Sequence, residues 1–153
     1  ELRPYIYQTF EKVWKDGAFS KLEEFVKVTG MKIDFTQRRE EIENIYIEHL
    51  KMALEEDSKE LYKLWKLEGL YKLTGIKPNF EKEELKNLVI EVYRKCLRNG
   101  APNVLKDLIN VTGIKPDFNQ LREDIEEGYR KCWEKDDYWC LKSLKEIIGL
   151  DLH

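Results

Sequence analysis

Apolar residues recur along this chain at helical spacing, and each run ends at a glycine. The residues eight and five positions before each of four glycines are large and apolar. Because residues three apart share one face of a helix, we predict a helix that ends at each glycine. These helices, called B helices here, cover residues 20–29, 59–74, 103–112 and 138–148, and the glycines are Gly30, Gly75, Gly113 and Gly149.

A second apolar stripe lies before each B helix. A tyrosine or phenylalanine is followed four residues later by tryptophan or leucine, a spacing that places both side chains on one helical face. The pattern predicts A helices over residues 4–15, 35–55, 80–98 and 118–134. We expect the stripe to be buried in all four, namely Phe10 with Trp14, Tyr46 with Leu50, Tyr93 with Leu97, and Tyr129 with Trp133.

The joint between a B helix and the next A helix is a repeated phrase. The residues Thr-Gly-Ile-Lys-Pro-Asp-Phe at 112–118 recur in similar form at 74–80 and 29–35, with a shortened copy at 148–151. Glycine is the residue that most readily ends a helix in the left-handed conformation. The next polar residues are predicted to be N-caps, with a glutamine three positions on completing two capping boxes. The predicted caps are Asp34, Asn79 and Asp117, and the glutamines are Gln37 and Gln120.

The spacing of these elements predicts the architecture. Successive glycines lie 45, 38 and 36 residues apart, and such periods are typical of solenoids built from helix pairs. The longest period carries an insertion of nine residues around Met52–Glu60, which we expect to lengthen its two helices. We predict one all-α domain over residues 1–153, a short α-solenoid of four stacked antiparallel helix pairs, with repeats near 4–34, 35–79, 80–117 and 118–153.

One segment also resembles a known family. The residues from Asn99 to Asp117 combine a tight turn, a short helix and an exit through glycine and an apolar residue. This combination is similar to the second half of an ankyrin repeat, and the likeness covers about half of each repeat. The resemblance implies a divergent, ankyrin-like helical repeat.

Composition narrows the function classes. The net charge of −3 argues against a general binder of nucleic acid or anionic membranes, which is usually basic. No apolar run reaches the roughly 18 residues of a membrane span and no signal peptide is visible, so we expect a cytoplasmic protein. The three cysteines lack metal-ligand spacing and are expected to be reduced thiols. A charged fraction of 37%, rich in Lys and Glu, suits a heat-adapted source.

The candidate catalytic and metal-binding side chains are better explained by packing. His49 occupies the position that Val13, Cys96 and Cys132 hold in the other A helices. Adjacent helices pack about 8–10 Å apart, whereas zinc ligands lie about 2.0–2.3 Å from one ion. No nucleophile stands beside a base at a recognisable spacing, and no glycine-rich phosphate loop occurs. We therefore expect no enzymatic activity, no cofactor and no metal.

Two sets of residues are candidates for binding a partner. Tyr62 and Trp65 follow the insertion, and exposed aromatic residues of this kind are typical anchors of protein interactions, although they could instead pack the lengthened helix. Lys32, Lys77 and Lys115 recur one residue past each apolar cap and would line one edge of the solenoid. Helix C-termini favour cations, so the lysines also have a purely structural explanation.

These residues predict a non-enzymatic protein-interaction module or adaptor whose partner is another protein. The alternative is a nucleic-acid-associated or regulatory domain that uses the lysine edge. No membrane partner is expected. Self-association through the apolar face of a terminal helix pair is a further hypothesis, and Tyr138 and Trp139 are predicted to cover that open end.

Overall fold

The protein is all-helical in a computed structural model, which describes residues 3–56 and 59–149. Within these two ranges the chain forms eight α-helices, three short 3-10 helices and no β-strand, so the predicted all-α class is confirmed. The α-helices are α1 (Arg3–Lys15), α2 (Phe19–Thr29), α3 (Arg39–Ala53), α4 (Trp65–Thr74), α5 (Glu83–Arg98), α6 (Pro102–Thr112), α7 (Arg122–Glu134) and α8 (Tyr138–Ile148). The 3-10 helices are Phe35–Arg38, Glu60–Lys63 and Phe118–Leu121.

The predicted glycine caps are confirmed. Gly30, Gly75, Gly113 and Gly149 close α2, α4, α6 and α8 with φ of 66°, 68°, 72° and 65°, in the left-handed region. Each glycine donates its backbone N–H to a carbonyl of the last helical turn, four residues earlier. The backbone conformation therefore requires glycine at these four positions. Crowding by neighbouring atoms plays no part at any of them.

Three A helices begin later than predicted. The side chains of Asp34 and Asp117 accept hydrogen bonds from the amides two residues on, at 3.0 and 3.1 Å, and each opens a 3-10 helix. Asn79 accepts in the same way from the amide of Glu81, at 3.1 Å, and α5 starts only at Glu83. These residues cap short turns that precede the α-helices, because an acceptor two residues from its donor closes a tight local turn. These hydrogen bonds therefore do not form the predicted capping boxes with the glutamines three residues on.

The insertion does not lengthen its helices, contrary to the prediction. α3 ends at Ala53 and α4 has ten residues, and the 3-10 helix Glu60–Lys63 lies between them. Residues 57 and 58 of the insertion lie outside the described residues. Leu61 and Leu64 are buried in the core, so the turn is held by two apolar side chains at helical spacing. From α5, Lys95 Nζ donates to the carbonyl oxygens of Ala53 and Glu55, at 2.6 and 2.8 Å. These bonds satisfy carbonyl groups that the end of α3 leaves free.

One hydrophobic core cluster joins the helices. Consecutive helices α1 and α2, α5 and α6, and α7 and α8 contact each other. Helices two apart in the chain also contact, α2 with α4, α4 with α6, α6 with α8, α3 with α5, and α5 with α7. None of the described helices is long and apolar enough to cross a membrane.

The aromatic stripe of the A helices is buried in three of its four copies. Phe10, Tyr46 and Tyr93 have at most 1% of their surface exposed, and their partners four residues on are also buried. The fourth copy differs from the prediction, because Tyr129 is only half-buried and Trp133 is 51% exposed. α7 and α8 are the last helices that the structure describes, so no further helix packs over this end of the stripe.

Candidate protein-interaction surface

A groove of about 270 Å³ crosses the side of the protein where α6 and α8 begin. Its two exposed aromatic walls are Tyr62 and Trp139, and we call it the Tyr62–Trp139 groove. The floor combines the turn before α6, the first turn of α6 and the start of α8. The remaining lining residues are Gly100, Ala101, Pro102, Asn103, Val104, Asp137, Cys140 and Ser143.

Local sequence fixes the floor of the groove. Gly100 has φ of 63°, which lets the chain reverse between α5 and α6, and Pro102 is pre-organised for the first helical turn. A Cβ on Gly100 would lie 3.2 Å from Cys132 Sγ, so the turn also packs closely on α7. No side chain caps the N-terminus of α6, and Asn103 in its first turn is exposed. Within the described part of the chain, the first backbone N–H groups of α6 therefore have no capping side-chain acceptor.

The start of α8 positions the second wall. Asp137 is its N-cap, and its side chain accepts a hydrogen bond from the backbone N–H of Cys140, at 3.0 Å. Trp139 lies in this first turn with 77% of its surface exposed, and Lys142 Nζ lies 5.4 Å from the centre of its ring. Trp139 is thus an exposed side chain of a capped first turn, and it lines the groove.

A disulfide bond ties this region together. Cys132 in α7 and Cys140 in α8 are joined, with their Cα atoms 5.8 Å apart, and Cys140 lines the groove. This bond corrects the expectation of three reduced thiols. The two cysteines lie in different helices and meet because α8 turns back on α7. Cys96 is free and buried, and burial raises the pKa of its thiol to about 12.

The predicted anchor residues are only partly brought together. Tyr62 lies in the 3-10 helix Glu60–Lys63, is 53% exposed and forms one wall of the groove. Trp65 is 52% exposed but is not among the described residues that line the groove. Both side chains are thus available to a partner, and the alternative that they pack the core does not fit their exposure.

Trp139 was missed as an anchor, although the sequence carries a signal for it. It lies ten residues before its capping glycine, where the other B helices have Ser20, Trp65 and Asn103. A position that takes serine and asparagine faces solvent, so a tryptophan there is predicted to be exposed as well. The structure shows Tyr138 and Trp139 exposed, at 62% and 77%, where the sequence predicted a cover for the open end.

A second exposed aromatic cluster lies next to the groove. The ring of Trp133 makes edge contacts with Tyr129 and Tyr138, with ring centres 6.5 and 6.2 Å apart. Tyr138 immediately precedes Trp139, so the exposed aromatic surface continues from the end of α7 to the groove. Aromatic side chains are enriched at protein interfaces relative to the rest of the protein surface.

The three candidate lysines follow the C-terminal ends of the B helices, whereas the groove lies at the start of α6 and α8. Lys77 differs from the other two in its contacts. Lys77 Nζ donates to the carbonyl oxygen of Val111, at 3.1 Å, and lies 5.2 Å from the centre of the Tyr71 ring. It therefore links two neighbouring helix ends. Lys32 and Lys115 are exposed. An 11-residue helix such as α6 is about 16 Å long, so the lysines and the groove form separate surfaces.

The other candidate chemistry also takes structural positions. His49 is half-buried, with Nδ1 2.9 Å from the carbonyl oxygen of Ile45, as expected of a packing position. Among the residues that the structure describes, no three His, Cys, Asp or Glu side chains are grouped to hold a metal ion. Burial and then the neighbouring Glu68 raise the pKa of Asp107, which lies on α6 outside the groove.

No protein-family model, curated protein or solved structure matches the chain. The geometry of the groove and of its neighbouring surfaces therefore carries the functional argument.

Proposed function

We propose that the chain is a helical-repeat module, a short α-solenoid of four helix pairs, that binds another protein and catalyses no reaction. The contacts between helices two apart in the chain support the solenoid, since stacked helix pairs contact their neighbours in this way. The divergent ankyrin-like repeat suggested by residues 99–117 and a cytoplasmic location are parts of the same proposal.

The observation that carries the function is that two exposed aromatic side chains, Tyr62 and Trp139, line one groove. Aromatic side chains in such positions supply large contact areas at low entropic cost and dominate binding energies at protein interfaces. The groove crosses parts of the chain from three successive repeats, so a partner segment would lie across the solenoid. An apolar side chain between the two rings, with a backbone or side-chain acceptor near the start of α6, fits the chemistry of the groove.

Photo-crosslinking tests this assignment. α6 carries two exposed asparagines, Asn103 in the groove and Asn110 near its other end, which form a matched pair. A photo-reactive residue at Asn103 should capture a discrete partner protein from a lysate of the source cells, whereas the same residue at Asn110 should not. The double variant Tyr62→Ala/Trp139→Ala should lose the crosslink, and Trp65→Ala serves as an exposed aromatic control outside the groove.

The alternative function, nucleic-acid association through the lysine edge, has weaker support because Lys77 is engaged within the protein. It makes a distinct prediction in the same experiment. Recovery of nucleic acid that falls steeply with salt and is lost in a Lys32→Glu/Lys115→Glu variant would favour the lysine edge. Equal crosslinking at Asn103 and Asn110 would overturn the assignment of the groove.

A further inference from the structure

The contacts between successive A helices follow a common positional pattern. In the first junction, Trp14 of α1 donates its Nε1–H to the carboxylate of Glu41 in α3, at 2.8 Å. In the last junction, Arg98 of α5 donates to the carboxylate of Asp124 in α7, at 3.1 Å, and Arg94 lies 3.9 Å from the same carboxylate. These two junctions thus pair donors near the end of one A helix with a carboxylate of the next.

The two acceptors occupy the same place in their helices. Glu41 and Asp124 are each the third residue of their α-helix and lie five residues before the stripe tyrosine. Each is followed by a fully buried isoleucine, Ile42 or Ile125. A carboxylate in a first helical turn is also favoured by the helix dipole.

The middle junction lacks donors one and four residues after the stripe aromatic, although Lys51, which is exposed, stands at the position of Arg98. α3 has Ile47 one residue and Leu50 four residues after Tyr46, both apolar. The next helix, α5, has Leu88 where α3 and α7 carry their carboxylates. A donor one or four residues after the stripe aromatic thus goes with a carboxylate on the next helix, and apolar residues at both of these positions go with leucine.

The last A helix, α7, presents donors with no acceptor in the described part of the chain. Arg130, one residue after Tyr129, is exposed, as is Trp133 four residues after it. These are the positions of Arg94 in α5 and of Trp14 in α1, both of which face a carboxylate. Glu134 stands where α5 has Arg98, so this end offers two donors.

We propose that this end of α7 is a docking site for an amphipathic helix with a carboxylate in its first turn followed by an apolar residue. The carboxylate would accept hydrogen bonds from Trp133 Nε1–H and from the Arg130 guanidinium. The apolar face of the incoming helix would cover the rings of Tyr129 and Trp133. This site goes beyond the proposed groove function and uses none of the residues that line the groove.

A second copy of the chain fits the site less well. Its first helix, α1, has Tyr5 five residues before Phe10, where Glu41 and Asp124 stand relative to their tyrosines. A head-to-tail contact through α1 would therefore leave the two donors without a carboxylate. The occupant that matches the donors is a helix resembling the start of α3 or α7.

The chain itself supplies the probe. A peptide covering residues 117–134, with a hydrocarbon bridge between positions 126 and 130 to hold it helical, carries Asp124 and Ile125 in register. The matched control is the same peptide with Asp124→Leu, the residue that α5 uses at this place. Binding to the full chain is followed through the indole N–H signals of its four tryptophans by nuclear magnetic resonance, with Trp133→Phe assigning the Trp133 signal.

We expect the Asp124 peptide to shift the Trp133 signal and to bind about tenfold more tightly than the leucine control, the effect of one charge-assisted hydrogen bond. Arg130→Gln in the full chain should reduce this preference several-fold. Equal affinities for the two peptides, or an unmoved Trp133 signal, would overturn the proposal. A Trp133 shift that depends on protein concentration without peptide would instead assign the end of α7 to self-association. Because crosslinking at Asn103 uses other residues, either proposal can fail alone.

Discussion

Gly128 of α7 lies against the carbonyl oxygen of Leu97 in α5, so close that a Cβ on the glycine would be only 1.8 Å from that oxygen. The contact is with backbone, which cannot move aside as a flexible side chain would. Absence of a side chain at Gly128 is therefore what permits α5 and α7 to approach as they do, and it places Asp124 within reach of Arg94 and Arg98.

Gly128→Ala should therefore be among the most damaging single substitutions. We expect a loss of about 3 kcal/mol or more in the free energy of unfolding, because α7 must shift away from α5. Gly69→Ala is the matched control, since Gly69 is also helical and buried but would mainly meet the Ser20 hydroxyl, at 3.0 Å. That side chain can rotate, and alanine favours the helix by about 1 kcal/mol. Urea unfolding measures both, and equal losses would contradict the argument.

The hydroxyls of two stripe tyrosines hold the joint that follows their B helix. Tyr46 donates to the carbonyl oxygen of Ile76 and Tyr93 to that of Ile114, both at 2.8 Å, and Tyr93 also shares a 2.6 Å bond with Thr112. Tyr93→Phe should cost about 1–2 kcal/mol, because it leaves the Ile114 carbonyl unpaired in the interior. Tyr46→Phe should cost somewhat less, because Thr74 Oγ1 also lies 3.5 Å from the Ile76 carbonyl oxygen. Tyr7→Phe, at an exposed tyrosine, should leave the chemical-denaturation midpoint unchanged. A neutral Tyr93→Phe would show that water reaches the Ile114 carbonyl.

Asp107 and Glu11 should affect stability with opposite dependence on pH. Burial and then Glu68 raise the pKa of Asp107 above its value in the unfolded chain, so its ionised form opposes folding at neutral pH. Asp107→Asn should raise the melting temperature at pH 7, and this gain should vanish near pH 3, below the unfolded pKa of about 3.9.

The Arg38 guanidinium lowers the pKa of Glu11, chiefly through a side-chain hydrogen bond, so that carboxylate favours folding above its unfolded pKa. Glu11→Gln should lower the melting temperature at pH 7, and the loss should disappear as the pH falls through the folded pKa. Melting curves of both variants between pH 3 and pH 7 test the pair. If the melting temperatures of the two variants changed with pH in the same direction, the assignment would be refuted.

The disulfide predicts a definite thiol count. Without reductant, a thiol reagent should find no reactive cysteine in the native protein and one, Cys96, after denaturation. Cys140→Ser should expose a second thiol under denaturing conditions. It should also cost about 2–3 kcal/mol of stability, since the bond closes a loop across a separation of eight residues. A count of three thiols in the untreated denatured protein would contradict the bond.

Much of the helical framework was predictable because its signals are local. Each capping glycine sets the backbone angle of its own residue, so the ends of α2, α4, α6 and α8 follow from sequence alone. The starts of α3 and α7 were placed early, because an aspartate two residues before its amide donor stabilises a 3-10 turn as readily as an α-helix. Sequence patterns around a cap do not distinguish these two geometries.

The candidate site was less predictable, because it is assembled from distant parts of the chain. Tyr62 was identified from the insertion, but Trp139, which lines the same groove, lies two repeats further along the chain in α8. The Lys77 contact with Val111 and the pairing of Cys132 with Cys140 likewise join residues whose separation in the sequence carries no signal. Such contacts depend on how helices pack, and a periodic pattern specifies only which face of a helix is apolar.

The helices that contact each other are close together in the sequence, and this affects how the chain folds. The main helix contacts join consecutive helices or helices two apart, so no pairing of the chain's two ends is needed before structure can form. Folding can therefore begin at an internal helix pair and spread outward, and amide hydrogens should exchange with solvent slowest in the central helices α4 to α6. Among the described helices, α1 and α8 lie at the two ends of this series of contacts. A partner that covers either end would thus stabilise the helices most prone to local unfolding.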